Sequence, residues 1–161
     1  MKPLKAVYAG SFDPVTNGHL DIMARVVNLF GGLTVLVMKN ETKTPLFSVQ
    51  ERMEFLTRAV KDIPGVSVET AEGLLADYAR KNKVQILVRG LRGAADIEPE
   101  LTAAYFNKKF YPGAETVFLP ARAELKYVSS SSVKEAARIG ANIGDFVPSF
   151  VAEALQKKLA R

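Results

Sequence analysis

The stretch Gly10-Ser11-Phe12-Asp13-Pro14-Val15-Thr16-Asn17-Gly18-His19 joins a short apolar run, Ala6–Ala9, to an amphipathic run from Leu20 to Phe30. It reads as the turn of a strand–turn–helix unit, and it carries the only histidine of the chain. The first turn of a helix leaves backbone N–H groups unpaired, and the helix dipole favours negative charge there. Such a turn suits a phosphate. Placed on it, His19 would add a hydrogen bond that strengthens as charge builds on a reacting phosphate. A lone histidine on a small-residue turn reads equally well as a structural residue. Asp13 and Thr16 read as turn and N-cap residues.

Working outward, four more apolar runs follow: Thr34–Met38, Val66–Glu69, Ile86–Val88 and Thr116–Leu119. They are rich in Val, Ile and Leu, and several lack polar alternation, as strands buried on both faces do. Helical patterns separate them. Ile22, Val26 and Phe30 share one face, and Ser48-Val49-Gln50-Glu51 is a capping box that opens a helix through Phe55, Leu56 and Val60. Leu74, Leu75, Tyr78 and Ala79 form a third stripe, and Leu101, Ala104, Tyr105 and Lys108 a fourth. Asp145–Arg161 reads as a C-terminal helix with Pro148 near its first turn.

This alternation predicts an α/β fold: one Rossmann-like domain over residues 1–161, with a five-stranded parallel sheet flanked by helices on both faces. Ligands of such sheets bind beyond the C-terminal strand ends. The turns after strands one, two, four and five carry Ser11–His19, Lys43, Arg89–Arg92 and Ser129–Ser132, and they are expected to share one crevice.

Composition narrows the chemistry. Of the 161 residues 48% are hydrophobic and 24% charged, ordinary values for a globular protein. The absence of cysteine excludes disulfides, thiolate catalysis and the usual structural zinc sites. Met1-Lys2-Pro3-Leu4-Lys5 leads into no long apolar segment, and no run is long enough to span a bilayer, so a cytoplasmic protein is expected. The net charge of +5 suits small anions or nucleic acid, but basic pairs such as Lys108-Lys109 and Lys157-Lys158 also read as solvated helix ends. The interleaving of aromatic and basic residues expected of a base-stacking platform is missing.

Three further stretches hold candidate chemistry. Lys43, in Asn40–Pro45, is a surface lysine or a point charge for a phosphate. Arg89-Gly90-Leu91-Arg92 places two arginines around a glycine, which suits a bidentate grip on phosphate close to the backbone. Glu100 alone reads as an exposed carboxylate, and Pro99 before it fits only the first turn of a helix or a kink. Ser129-Ser130-Ser131-Ser132 offers more hydroxyls than capping needs, although Ser132 and Glu135 have capping-box spacing.

Together these stretches resemble the phosphopantetheine adenylyltransferase family, a branch of the HIGH-motif nucleotidyltransferases, over essentially the whole chain. Ser11 with Asn17-Gly18-His19 matches the superfamily signature, and Arg89–Arg92, Glu100 and the serines after Lys126-Tyr127 match the family. The resemblance implies transfer of AMP from ATP to 4′-phosphopantetheine, giving dephospho-coenzyme A and pyrophosphate. It implies that His19 stabilises the transition state and that Ser11 touches both substrates. Lys43, Leu75 and Arg89 would bind phosphopantetheine. Phe12, His19, Gly90, Leu91, Arg92, Glu100, Leu125, Lys126, Tyr127, Val128, Ser129, Ser130 and Ser131 would bind ATP. It further implies Mg²⁺ held mainly by substrate phosphates, a homohexamer, and inhibition by coenzyme A, with no nucleic acid or membrane partner. A sibling enzyme acting on nicotinate mononucleotide or glycerol phosphate is the alternative.

Overall fold

The computed structural model describes residues 4–39 and 44–160. β1 (Ala6–Gly10) leads into α1 (Asn17–Phe30), β2 (Leu33–Met38) into α2 (Val49–Ala59), and β3 (Val66–Ala71) into α3 (Leu75–Asn82). β4 (Ile86–Leu91) leads into α4 (Ala94–Phe110). β5 (Glu115–Pro120) is followed by a 3-10 turn (Ala123–Leu125), α5 (Ser130–Arg138) and α6 (Ser149–Leu159). The five strands form one parallel sheet in the order β3-β2-β1-β4-β5. The chain builds outward from β1 to β3, then crosses back to place β4 on the other side of β1. That reversal opens a crevice above the C-terminal ends of β1 and β4, as expected at a switch point.

Both faces of the central strands are buried, which explains their uninterrupted apolar sequences. Tyr8, Val35, Val37 and Val88 face Met23 and Val26 of α1, Leu56 of α2, Val133 of α5, and Val151 and Leu155 of α6. Val7, Ala9, Leu36 and Leu87 face a smaller cluster around Ala79 of α3, Val84 and Ala114. Ser48 and Glu51 form the expected capping box on α2. Among the described residues no helix is long and apolar enough to cross a membrane.

Three local expectations change. Arg89, Gly90 and Leu91 lie on β4 rather than in a turn, because pairing with Phe118, Leu119 and Pro120 of β5 continues to the strand's end. The Leu101–Tyr105 stripe is not a core stripe: α4 buries no residue, and Leu101, Tyr105, Phe106 and Phe110 are exposed. Pro99 sits inside α4, beyond its first turn, where its nitrogen can donate nothing to the Ala95 carbonyl.

Candidate active site

The end of β1 turns sharply into α1. A Cβ on Gly10 would lie 3.2 Å from Cζ of Phe12, so glycine lets that ring close against the strand where a side chain would push it back by a few tenths of an ångström. Phe12 is buried, with its ring edge-on to Tyr8 at 5.4 Å and to His19 at 5.0 Å. Its backbone is left-handed, at φ +47°, a rare state for a bulky residue. Thr16 is the N-cap of α1, as its position suggests. His19 is the third helical residue and closes a capping box in place of the usual glutamate: Thr16 N–H donates to His19 Nδ1 at 3.0 Å.

That bond sets the state of the imidazole. With Nδ1 accepting, the ring proton of the neutral form sits on Nε2. Burial, aided by the positive charge of Arg92, pushes the pKa of His19 down to about 4. His19 is therefore a neutral donor at pH 7. Beside it, the N–H of Asn17 is taken by the Phe146 carbonyl at 2.8 Å and that of His19 by Thr16 Oγ1 at 3.4 Å. The Gly18 N–H has no partner among the described residues.

These groups line a crevice of about 560 Å³. Its wall contains Ser11, Phe12, Gly18, His19, Arg89, Gly90, Leu91, Arg92, Glu100, Leu125, Val128 and Ser129–Ser131. A second, smaller cavity of about 310 Å³ is lined by Met38, Leu75 and Asn107, and shares Ala9, Gly10, Ser11 and Arg89 with the first. The sheet topology thus brings the separate stretches together, although Lys126 and Tyr127 stand outside both walls. Tyr127 is exposed, with the Lys126 ammonium 4.7 Å from its ring centre. Lys43 lies outside the described residues.

The arginines are already engaged. Glu100 forks the Arg89 guanidinium, with Nη2–Oε1 at 2.9 Å and a second bond from Nε to Oε2. Burial opposes the charge of Arg89, but Glu100 outweighs it and raises the guanidinium's pKa. Glu100 is accordingly no isolated surface carboxylate. Arg92 is forked in the same way by Asp96, one helical turn before Glu100, with contacts of 3.1 Å. Burial works against ionisation of Asp96 too, and Arg92 nevertheless holds it below the usual carboxylate range.

The serine run divides its work. Ser129 caps α5 and exchanges capping bonds with Ser132, so the box is Ser129–Ser132 rather than Ser132–Glu135. Glu135 pairs instead with Arg138 at 3.3 Å. Ser130 donates to the Pro14 carbonyl at 2.7 Å, which leaves Ser131 exposed at the start of the helix. Two helix N-termini, those of α1 and α5, consequently meet at one crevice, an arrangement suited to polyphosphate.

Asp13 does more than turn the chain. Its buried carboxylate accepts from the N–H groups of Leu46 and Phe47, each at 2.9 Å, and from Lys134 Nζ at 2.9 Å. Burial opposes its charge, yet these donors hold its carboxyl below the usual range. Reading the sequence missed this role, along with Asp96, Met38 and Asn107. Asp96 stands four residues after Arg92, a spacing that marks the pair, whereas the partners of Asp13 lie 33, 34 and 121 positions away and no local pattern marks them.

Residues 7–136 match the Cytidylyltransferase-like family. The phosphopantetheine adenylyltransferase of Dictyoglomus turgidum is 50% identical over 155 residues, covering 96% of this chain and 97% of that protein. The enzyme of the same name from Caldanaerobacter subterraneus is 48% identical over 97% of this chain and 98% of its own length. A solved structure of Plasmodium falciparum nicotinic acid mononucleotide adenylyltransferase, complexed with NaAD, shares the fold at TM-score 0.69. The two are 16% identical over 96% of this chain and 95% of that one.

Proposed function

Because the chain belongs to the phosphopantetheine adenylyltransferase family, we propose that it transfers AMP from ATP to 4′-phosphopantetheine, releasing pyrophosphate and forming dephospho-coenzyme A. The observation that carries this reading is the pair of cavities meeting at Ser11. The larger, with its helix N-termini and histidine donor, suits ATP. The smaller, with Leu75 and Met38, suits the pantetheine arm, and Arg89 at their junction suits the acceptor phosphate. The sibling reading, transfer to nicotinate mononucleotide, has only a shared fold at 16% identity behind it.

The acceptor's phosphate oxygen attacks the α-phosphorus as the bond to the β-phosphate oxygen breaks, and pyrophosphate leaves with that electron pair. A phosphate monoester is largely ionised at neutral pH, its second pKa being about 6, so no general base is needed. His19, neutral with its proton on Nε2, donates to charge developing on the α-phosphate. The Gly18 N–H and the first turn of α5 add donors for the polyphosphate. Ser11, placed between the cavities, aligns the two reactants.

Mg²⁺ is part of the proposal and would supply charge neutralisation on the polyphosphate. Among the described residues Glu100 and Asp96 are taken by arginines, so the ion would be held mainly by substrate phosphates. Coenzyme A carries both an adenine nucleotide and a pantetheine arm, and we expect it to occupy the paired cavities as an inhibitor. The exposed apolar residues of α4 support self-association, with the hexamer as the proposed state. The proposed location is the cytoplasm, where ATP is at hand.

Purified protein with ATP, Mg²⁺ and phosphopantetheine should yield dephospho-coenzyme A, and the reverse reaction should consume pyrophosphate. No product with this acceptor, alongside adenylylation of nicotinate mononucleotide, would overturn the reading.

A further inference from the structure

Beneath the crevice, and absent from both cavity walls, lies Arg52 of α2, which is 3% exposed. Its donors go to backbone carbonyls: Nε to Phe47 at 3.1 Å and Ser48 at 3.3 Å, and Nη1 to Ser11 at 2.7 Å. Burying a guanidinium sacrifices much hydration, and carbonyl dipoles repay it less fully than a carboxylate would. Plain packing at this position would be served better by an apolar side chain of similar length. The shortest of these bonds falls on the peptide between Ser11 and Phe12.

That peptide precedes the left-handed Phe12, at φ +47°. A bulky residue stays in that region only where its surroundings over-determine it. The Phe12 ring is held by Tyr8 and His19, and Asp13 is tied to Leu46 and Phe47. Arg52 supplies the remaining hold, on the Ser11 carbonyl. Ser11 is exposed and belongs to the walls of both cavities. The direction of its hydroxyl depends on how this peptide is turned.

We propose that Arg52 is a positioning residue for the transfer: by gripping the Ser11 carbonyl it keeps Phe12 left-handed and aims the Ser11 hydroxyl at the junction of the two cavities. This rests on the adenylyltransferase reading. It also links the two sides of the site, because the same guanidinium grips Phe47 and Ser48, the segment that Asp13 ties to the β1–α1 turn.

A double-mutant cycle tests it. Arg52→Met lowers kcat by about 10²-fold, the size of effect that a 1 Å misplacement can produce. In a Ser11→Ala background the same substitution costs under about 3-fold, because the group it aims is gone. Multiplying losses would overturn the proposal. Arg52→Lys, which keeps the charge and one donor, retains more activity than Arg52→Met; the opposite order would show that Arg52 only fills space, and would overturn it too. A crystal structure of Arg52→Met, or of Arg52→Gln should the methionine variant not fold, gives a readout that needs no turnover. Phe12 leaves the left-handed region there, and an unchanged φ overturns the proposal. Wild-type protein inert toward ATP and phosphopantetheine would sink the adenylyltransferase reading instead, with the Phe12 angle still deciding whether Arg52 holds the turn.

Discussion

The backbone N–H of Thr16 donates to Nδ1 of His19 at 3.0 Å, and this bond fixes the work open to the only histidine in the chain. With Nδ1 occupied, only Nε2 is left to meet a substrate, and in the neutral ring it is a donor. His19→Ala should lower kcat by about 10²–10³-fold, the cost of removing one transition-state donor. ATP affinity should change far less. Calorimetry beside steady-state kinetics separates the two, and equal losses in both would mark ground-state binding instead.

The low pKa of His19 also sets a stability window. Between its unfolded value of 6.5 and its folded value of about 4, the unfolded chain binds a proton that the folded chain does not. Stability from this group is therefore complete above pH 6.5 and is lost as the pH falls toward 4. Urea melts at pH 7 and pH 5 should show a larger drop for wild type than for His19→Gln. Activity should not titrate with His19 near neutrality. Its acid limb should follow the acceptor phosphate, near pH 6.

Arg89 and Glu100 act as one unit through their paired contacts. Arg89→Ala should raise the KM for phosphopantetheine at least about 10-fold, the scale of losing one charge-assisted hydrogen bond. ATP binding should be largely kept. Glu100→Gln should move the acceptor KM in the same direction by less, since it loosens the fork without removing the cation. An acceptor KM unaltered in both variants would remove Arg89 from that role.

Asp13→Asn leaves one amide oxygen where two carboxylate oxygens served Leu46, Phe47 and Lys134. The expected cost is about 2 kcal/mol, in the range for hydrogen bonds to a charged group. The denaturation midpoint in urea reads it directly. The depressed pKa of Asp13 adds a sign: its contribution is present above its unfolded pKa and is lost as the pH falls through the folded one. The gap between wild type and variant should close in acid.

Tyr105 and Phe106 stand exposed on α4 with rings 5.3 Å apart. If this face joins copies of the chain, Phe106→Glu should reduce the mass measured by analytical ultracentrifugation. An unaltered assembly would send the contact elsewhere.

The kinds of element and their order were legible in the residues, because strand runs, helix stripes and caps are local. The Ser48–Glu51 box spans four residues and holds as read. The Thr16 cap held for the same reason. Elsewhere packing overrides the local signal. The spacing of Ser132 and Glu135 suggests one box, but the helix opens earlier, with the box at Ser129–Ser132 and Ser130 on the Pro14 carbonyl. The α4 stripe looked like a core face, but with α3 and the sheet occupying the smaller core it stays outside.

Chemistry divides along the same line. Ser11, Gly18, His19, Arg89, Arg92 and the serines could be picked out from residue type and spacing, since phosphate recognition favours those groups beside turns and helix starts. What each one does depended on partners distant along the chain. The β4–β1 pairing set Arg89 beside the Ala9 carbonyl and, through α4, within reach of Glu100. Asp13 met Leu46 and Phe47 across 33 and 34 positions, and Arg52 met Ser11 across 41. Such contacts form only when the sheet closes around β1, and no pattern in a short window of residues encodes them.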